Sequence, residues 1–151
     1  MSFMRVVVIA GALAAGVEFA SVGAPAAASG LQPEPAAFVA YYWRARPGRT
    51  AEYNDYIRSV AEPIDESARK AGVFEEVRTV MPVASADTPA PDWTHLRIFR
   101  VKNLAAVAQL GPGLDAATER VVPDPAQRKA NSARSAELRD LARREVWTEL
   151  R

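Results

Sequence analysis

The chain has 151 residues, a formal net charge of +1, no Cys and a single His. A charge so close to zero excludes a general nucleic-acid binder, which carries a strongly basic face. The missing Cys exclude disulfides, thiolate nucleophiles, Cys-ligated zinc and iron–sulfur clusters, and one His excludes an all-histidine metal site within the chain.

Residues 1–28 read as a secretory signal peptide. Arg5 supplies the positive start, residues 6–17 form an uncharged apolar run, and Ala26, Ala27 and Ala28 provide small residues for cleavage. The apolar run is shorter than the roughly 20 residues of a permanent span, although a retained anchor is the alternative. The expected destination is the periplasm or the exterior, and no later run is long and apolar enough to be transmembrane. Residues 29–37, with Gly30, Pro33 and Pro35, read as a flexible tether. Residues 38–151 are then one domain of ordinary size.

Residues 38–45 predict a strand buried on two sides. Phe38, Ala40, Tyr42 and Arg44 share one face, and Val39, Tyr41, Trp43 and Ala45 the other. Pro47 and Gly48 end it in a turn. Thr50 is the expected N-cap of an amphipathic helix whose apolar stripe is Tyr53, Tyr56, Ile57, Val60, Ile64 and Ala68, with Gly72 as its stop. Pro63 removes a backbone donor inside that pattern and predicts a kink near residues 58–60, or a split into two helices.

A second strand is expected over 73–83, a loop over 84–91 and a third strand over 93–101, the two strands forming a hairpin. On the third, Trp93, His95, Arg97, Phe99 and Val101 fall on one face, opposite Thr94, Leu96, Ile98 and Arg100. A short helix over 104–110 should end at Gly111-Pro112-Gly113, with another short helix possible over 114–122. Asp124 followed by Pro125 then predicts an N-cap and first turn. The Ala- and Arg-rich pattern carries that helix over 126–143, with Arg128, Lys129, Arg134, Arg139, Arg143 and Arg144 on a solvated face. Residues 145–150 alternate as a short final strand.

Strand, helix, strand, strand, helices, strand is the order of an α+β ferredoxin-like β-α-β-β-α-β fold: a four-stranded antiparallel sheet with helices on one face. The aromatic-rich other face predicts a second copy of the sheet across a two-fold axis. With its first strand ending Arg44-Ala45-Arg46-Pro47-Gly48, its helix bearing Tyr53 and Tyr56, its Lys70-Ala71-Gly72 exit and its late hairpin, the sequence resembles the dimeric α/β-barrel superfamily. The resemblance implies a homodimer whose paired sheets enclose a cavity, in a group that includes cofactor-independent monooxygenases, haem-degrading enzymes, isomerases and stress-related proteins. Its haem-degrading members use a His on the later helix and an Asn on the first strand, and this chain has neither.

His95 is the one side chain with an ordinary pKa near neutrality, and it is the candidate general base or axial ligand. Arg97 either binds a carboxylate or enolate, or pairs with Glu75 or Glu76 across the hairpin. With Tyr42 these make the candidate catalytic set. Tyr41, Trp43, Trp93, Phe99 and Trp147 are the candidate ligand contacts, because rings supply large, stiff contact area, and simple core or interface packing is the competing reading. No cofactor and no metal is expected. The leading functional expectation is an exported homodimer that binds a small apolar or aromatic ligand. The alternatives are a cofactor-independent monooxygenase or isomerase acting on a phenolic or enolic substrate, and a periplasmic protein-interaction module.

Overall fold

The computed structural model describes residues 34–83, 86, 87 and 89–150. The chain divides into two units, Met1–Gln32 and Pro33–Arg151. The expected signal peptide lies outside the described residues, and so does most of the tether.

The elements run β1 (Ala37–Ala45), α1 (Thr50–Tyr56), a π-helical turn (Ile57–Ala61), α2 (Glu62–Lys70), β2 (Glu76–Val80), β3 (His95–Val101), α3 (Val107–Val121), α4 (Pro125–Leu138) and β4 (Arg139–Thr148). The strands form one antiparallel sheet in the order β2-β3-β1-β4. This is the expected ferredoxin-like arrangement, with β1 central. Ala36 and Ala37 are already buried, so the packed chain starts slightly before the expected strand.

The two faces of β1 have different neighbours. Val39, Ala37, Phe99 and Val101 pack beneath Ala68, Leu110 and Ala117 of the helices. Ala45, Tyr53, Ile57 and Leu138 form a second cluster on the same side, with Trp43 and Tyr56 against it. On the opposite, helix-free face, Ala40, Tyr42 and Leu96 pack with Trp93, Ile98 and Ala142.

Pro63 acts as expected, though not by a simple kink. Its missing N–H interrupts the α-helical ladder, and the turn just before it widens into a π turn over Ile57–Ala61. Gly48 and Gly72 adopt positive φ, 74° and 76°, at the two exits where Gly was expected to stop an element.

Four expectations change. Thr50 is the first helical residue rather than the cap; Arg49 holds the cap position and no side chain caps it. The Gly111-Pro112-Gly113 segment lies inside α3 and does not break it. Gly113 packs so tightly on Val73 that a Cβ there would come within 2.4 Å of its Cγ1. β2 is shorter than residues 73–83, because Phe74 turns into the core ahead of it.

The last change matters most. α4 stops at Leu138, and residues 139–143, read as helix, are strand. Good helix formers yield here to pairing with β1, the sheet's longest interior edge, as tertiary context commonly overrides weak propensity. Asp124 does cap α4, its Oδ1 accepting from the Ala126 N–H at 2.9 Å.

Candidate functional site

Between the sheet and the helical layer lies a cavity of about 520 Å³, widely open to solvent and lined by polar and apolar groups in similar measure. Trp43 of β1 lies at the sheet side of it. Tyr56, Val60 and Ile64 line it from the first helical segment, and Asp115 and Thr118 from α3. Arg128, Asn131 and Ser135 of α4 and Arg139 of β4 complete the wall. The π turn lies in this wall: Tyr56 precedes it and Val60 belongs to it. Wide turns of this kind recur at functional sites because they re-aim side chains.

Arg139 reaches the cavity through a β-bulge. Phe38, Ala40 and Tyr42 of β1 face Trp147, Glu145 and Arg143 of β4 in regular alternation. Between Tyr42 and Trp43 the register shifts, so that Trp43 faces Leu141 and Ala45 faces Arg139. Ala142 is the extra residue. It reverses the alternation, and Arg139 therefore stands on the helix side, where strict alternation would have put it on the open side.

There its guanidinium Cζ lies 3.2 Å from the centre of the Trp43 ring and 5.4 Å from that of Tyr53. Nε donates to Ser135 Oγ at 3.0 Å. Nη1 is buried with no hydrogen-bond partner among the described residues. Burial holds the Arg139 pKa below its ordinary value.

The candidate catalytic residues are not brought together. His95 is fully buried beneath α1. Its Nε2 lies 2.7 Å from Asn54 Oδ1 and its Nδ1 2.8 Å from Thr94 Oγ1, with the Tyr53 ring edge-on at 4.5 Å between centroids. The neutral tautomer protonated at Nε2 satisfies both contacts, donating to Asn54 and accepting from Thr94. Burial, and secondarily the charge of Arg139, lower the His95 pKa. Burial pushes the Tyr53 hydroxyl up to about 12.

A histidine buried neutral makes folding pH-dependent. Because its folded pKa is below the ordinary 6.5, the unfolded chain takes up the proton first as pH falls. The His95 contribution is therefore fully present above about pH 6.5 and declines as pH drops below it. Urea unfolding should show stability falling from pH 7 to pH 5, with a smaller slope in His95→Gln. A pH-independent midpoint over that range would contradict the buried neutral assignment.

Arg97 also lies on the helix side, but it pairs with neither Glu75 nor Glu76. Its Nη2 donates to Asp65 Oδ2 on α2, and both side chains are about nine-tenths buried. Glu75 takes Arg100 instead. Tyr42 is on the other side of the sheet, its hydroxyl donating to Glu145 Oε2 at 3.1 Å beneath the Arg143 guanidinium. His95, Arg97 and Tyr42 therefore share no cavity.

The candidate ligand contacts divide in the same way. Trp43 lines the cavity. Tyr41 stacks beside it at 6.1 Å and Phe99 meets Tyr41 edge-on at 5.9 Å, so these two belong to the core under the helices. Trp93 is not on the His95 face. The chain bends at Thr94, β3 begins at His95, and Trp93 packs edge-on to Tyr42 at 5.6 Å on the open face. Trp147 joins it there, 6.4 Å from Tyr42.

No protein-family model matches the chain, and no curated protein does. Solved structures do. A nipsnap family protein with unknown function from Agrobacterium tumefaciens is similar to it at a TM-score of 0.53 and 14% identity, over 79% of this chain and 91% of its own. An ethyl tert-butyl ether d (ethd) family protein from Bacillus halodurans gives 0.48 and 11%, over 77% and 99%. An ethd-like protein from Ralstonia eutropha gives 0.48 and 9%, over 76% and 91%. With a four-stranded β2-β3-β1-β4 sheet and its helices on one side, the chain has a ferredoxin-like fold.

Proposed function

We propose that this protein binds a small, flat, largely apolar ligand in the cavity between sheet and helices. The observation that carries the reading is the cavity itself: about 520 Å³, within the usual range for small-molecule sites, with Trp43 and Tyr56 among its walls. Rings give a planar ligand a large contact area at little entropic cost. Binding is favoured over catalysis because both ring nitrogens of His95 are occupied and Arg97 is tied to Asp65. None of the candidate catalytic residues His95, Arg97 and Tyr42 lines this cavity. The reading is tested by titrating the protein with 2-naphthamide and following tryptophan fluorescence. Saturable quenching that is lost in Trp43→Ala supports it; quenching unchanged in Trp43→Ala contradicts it.

The protein is further proposed to be an exported homodimer. A single sheet with helices on one side leaves the other side to be covered. That side exposes Trp147 and Val80 and bears a largely apolar groove of about 460 Å³ between Phe38, Ile98, Arg100 and Trp147. A second copy across a two-fold axis covers it with the same residues, and this use of the face leaves less room for a protein-interaction module. Export rests on the charged start, the apolar run over residues 6–17 and the alanines at 26–28. Protein recovered from the periplasm of an expressing bacterium should have the mass of a chain starting near Ser29 and sediment as a dimer at micromolar concentration. A full-length mass contradicts cleavage, and a stable monomer contradicts the pairing.

A further inference from the structure

We infer that the ligand of this cavity is an anion, a carboxylate or enolate on a flat apolar body, and that Arg139 is its anchor. The inference rests on the binding reading above and adds the charge of the ligand to it.

Arg139 carries an orphaned donor. A guanidinium carries five N–H groups and no acceptor, and a buried donor left unpaired is costly unless something completes it. Arg139 Nε is satisfied by Ser135, whereas Nη1 is buried with no partner, in a residue that lines the cavity. The guanidinium face is already used against Trp43, and the donor left unpaired is the buried Nη1 at its edge. The edge of a guanidinium is the surface that receives a carboxylate through two parallel hydrogen bonds.

The surrounding charges agree. Arg97 behind the sheet-side core is compensated by Asp65, but no ion pair compensates Arg139 among the described residues. Arg128, the other cation of the wall, spends Nη1 on the carbonyls of Val122 and Pro123 and still carries its charge. Among the described residues Asp115 is the one carboxylate of the wall, and it makes no ion pair with Arg139. Two cations against one acid leave the cavity one positive charge in excess.

The bulge is the third observation. It reverses the alternation of β4 at Ala142 and thereby turns a charged residue inward, over a ring. Turning an arginine under a helical layer costs desolvation, and a stacked guanidinium with one buried donor unpaired is an arrangement that an anionic ligand repays.

The test compares 2-naphthoate with 2-naphthamide, which share the ring system and differ in charge. Wild-type protein should bind 2-naphthoate about 10–100-fold more tightly than 2-naphthamide, the range of a charge-assisted pair in a partly buried site. Arg139→Gln should abolish that preference, read as the ratio of the two affinities within the variant. Arg139→Lys should retain only part of it, since an ammonium keeps the charge and loses the planar fork. Equal affinity of the wild type for both probes overturns the anion inference and leaves the binding reading standing. Binding of neither probe overturns both. If Arg139→Gln does not fold, the wild-type ratio and Arg139→Lys still decide.

Discussion

Arg97→Ala should destabilise the fold by about 3–5 kcal/mol, the largest loss expected of any single charged side chain in the described structure. Among the described residues, Arg97 and Asp65 are the one ion pair in which both partners are buried; the others, such as Arg58–Asp55 and Arg46–Asp140, are solvent-exposed and belong to the class worth roughly 0–1 kcal/mol. Removing Arg97 strands the Asp65 carboxylate between α2 and the sheet, where burial already opposes its ionised form and only Arg97 favours it. The cost is the penalty of an uncompensated buried charge rather than the net value of the pair. For that reason the double variant Arg97→Met/Asp65→Leu should recover most of the loss, because apolar side chains of similar volume replace both charges together. Urea unfolding of the three variants against wild type checks this. A loss below about 1 kcal/mol in Arg97→Ala would mean that the pair is wetter than its burial implies.

Leu138→Ala should cost about 2–5 kcal/mol, and it should act on the site as well. Leu138 is fully buried against Ala45, Tyr53 and Ile57, at the residue where α4 becomes β4. Its carbonyl accepts from the Arg46 N–H at 2.9 Å, which ties the junction to the end of β1. Truncation removes apolar contact and leaves a cavity directly beneath Arg139. Loss of 2-naphthoate affinity should accompany the loss of stability, measured well below the melting temperature so that unfolding does not contribute. Full affinity in a destabilised Leu138→Ala would show that Arg139 is held by its stacking on Trp43 alone.

The fold was legible because its signals are local and repeated. Strict alternation marked β1 and β3, a 3.6-residue stripe marked the first helical segment, and Asp124-Pro125 marked the start of α4. The site was less so. Trp43 was identified from the aromatic run, and it does line the cavity. His95 and Arg97 attracted notice as the chemistry-bearing residues of a strand, yet they are satisfied by Asn54, Thr94 and Asp65, partners that are distant in sequence except for Thr94. Tyr42 and Trp93 face away because sheet period and a bend at Thr94 decide sides, and the bend leaves little trace in composition.

Arg139 was missed altogether. It stood in an Ala- and Arg-rich stretch whose propensity is helical, so it was placed on a solvated helix face. Two non-local facts reverse that placement: pairing with β1 converts residues 139–143 to strand, and the bulge at Ala142 turns Arg139 inward. Neither is written in a window of neighbouring residues. Asp115, Thr118 and Asn131 were missed for a related reason, since each is an ordinary polar residue until the helices are folded over the sheet. The one usable hint was Pro63 within an otherwise regular stripe, because the π turn that it provokes carries Val60 into the cavity wall.

The three tryptophans provide the most direct measurement of the central claim, that ligand enters between sheet and helices. Trp43 lines that cavity, whereas Trp93 and Trp147 lie against Tyr42 on the open face. Their three indole N–H signals in a ¹⁵N-labelled sample therefore report the two sides of the sheet separately. On titration with 2-naphthoate the Trp43 signal should shift to saturation while those of Trp93 and Trp147 stay in place. Saturable shifts of Trp93 and Trp147 with Trp43 unmoved would put the ligand on the open face and contradict the account.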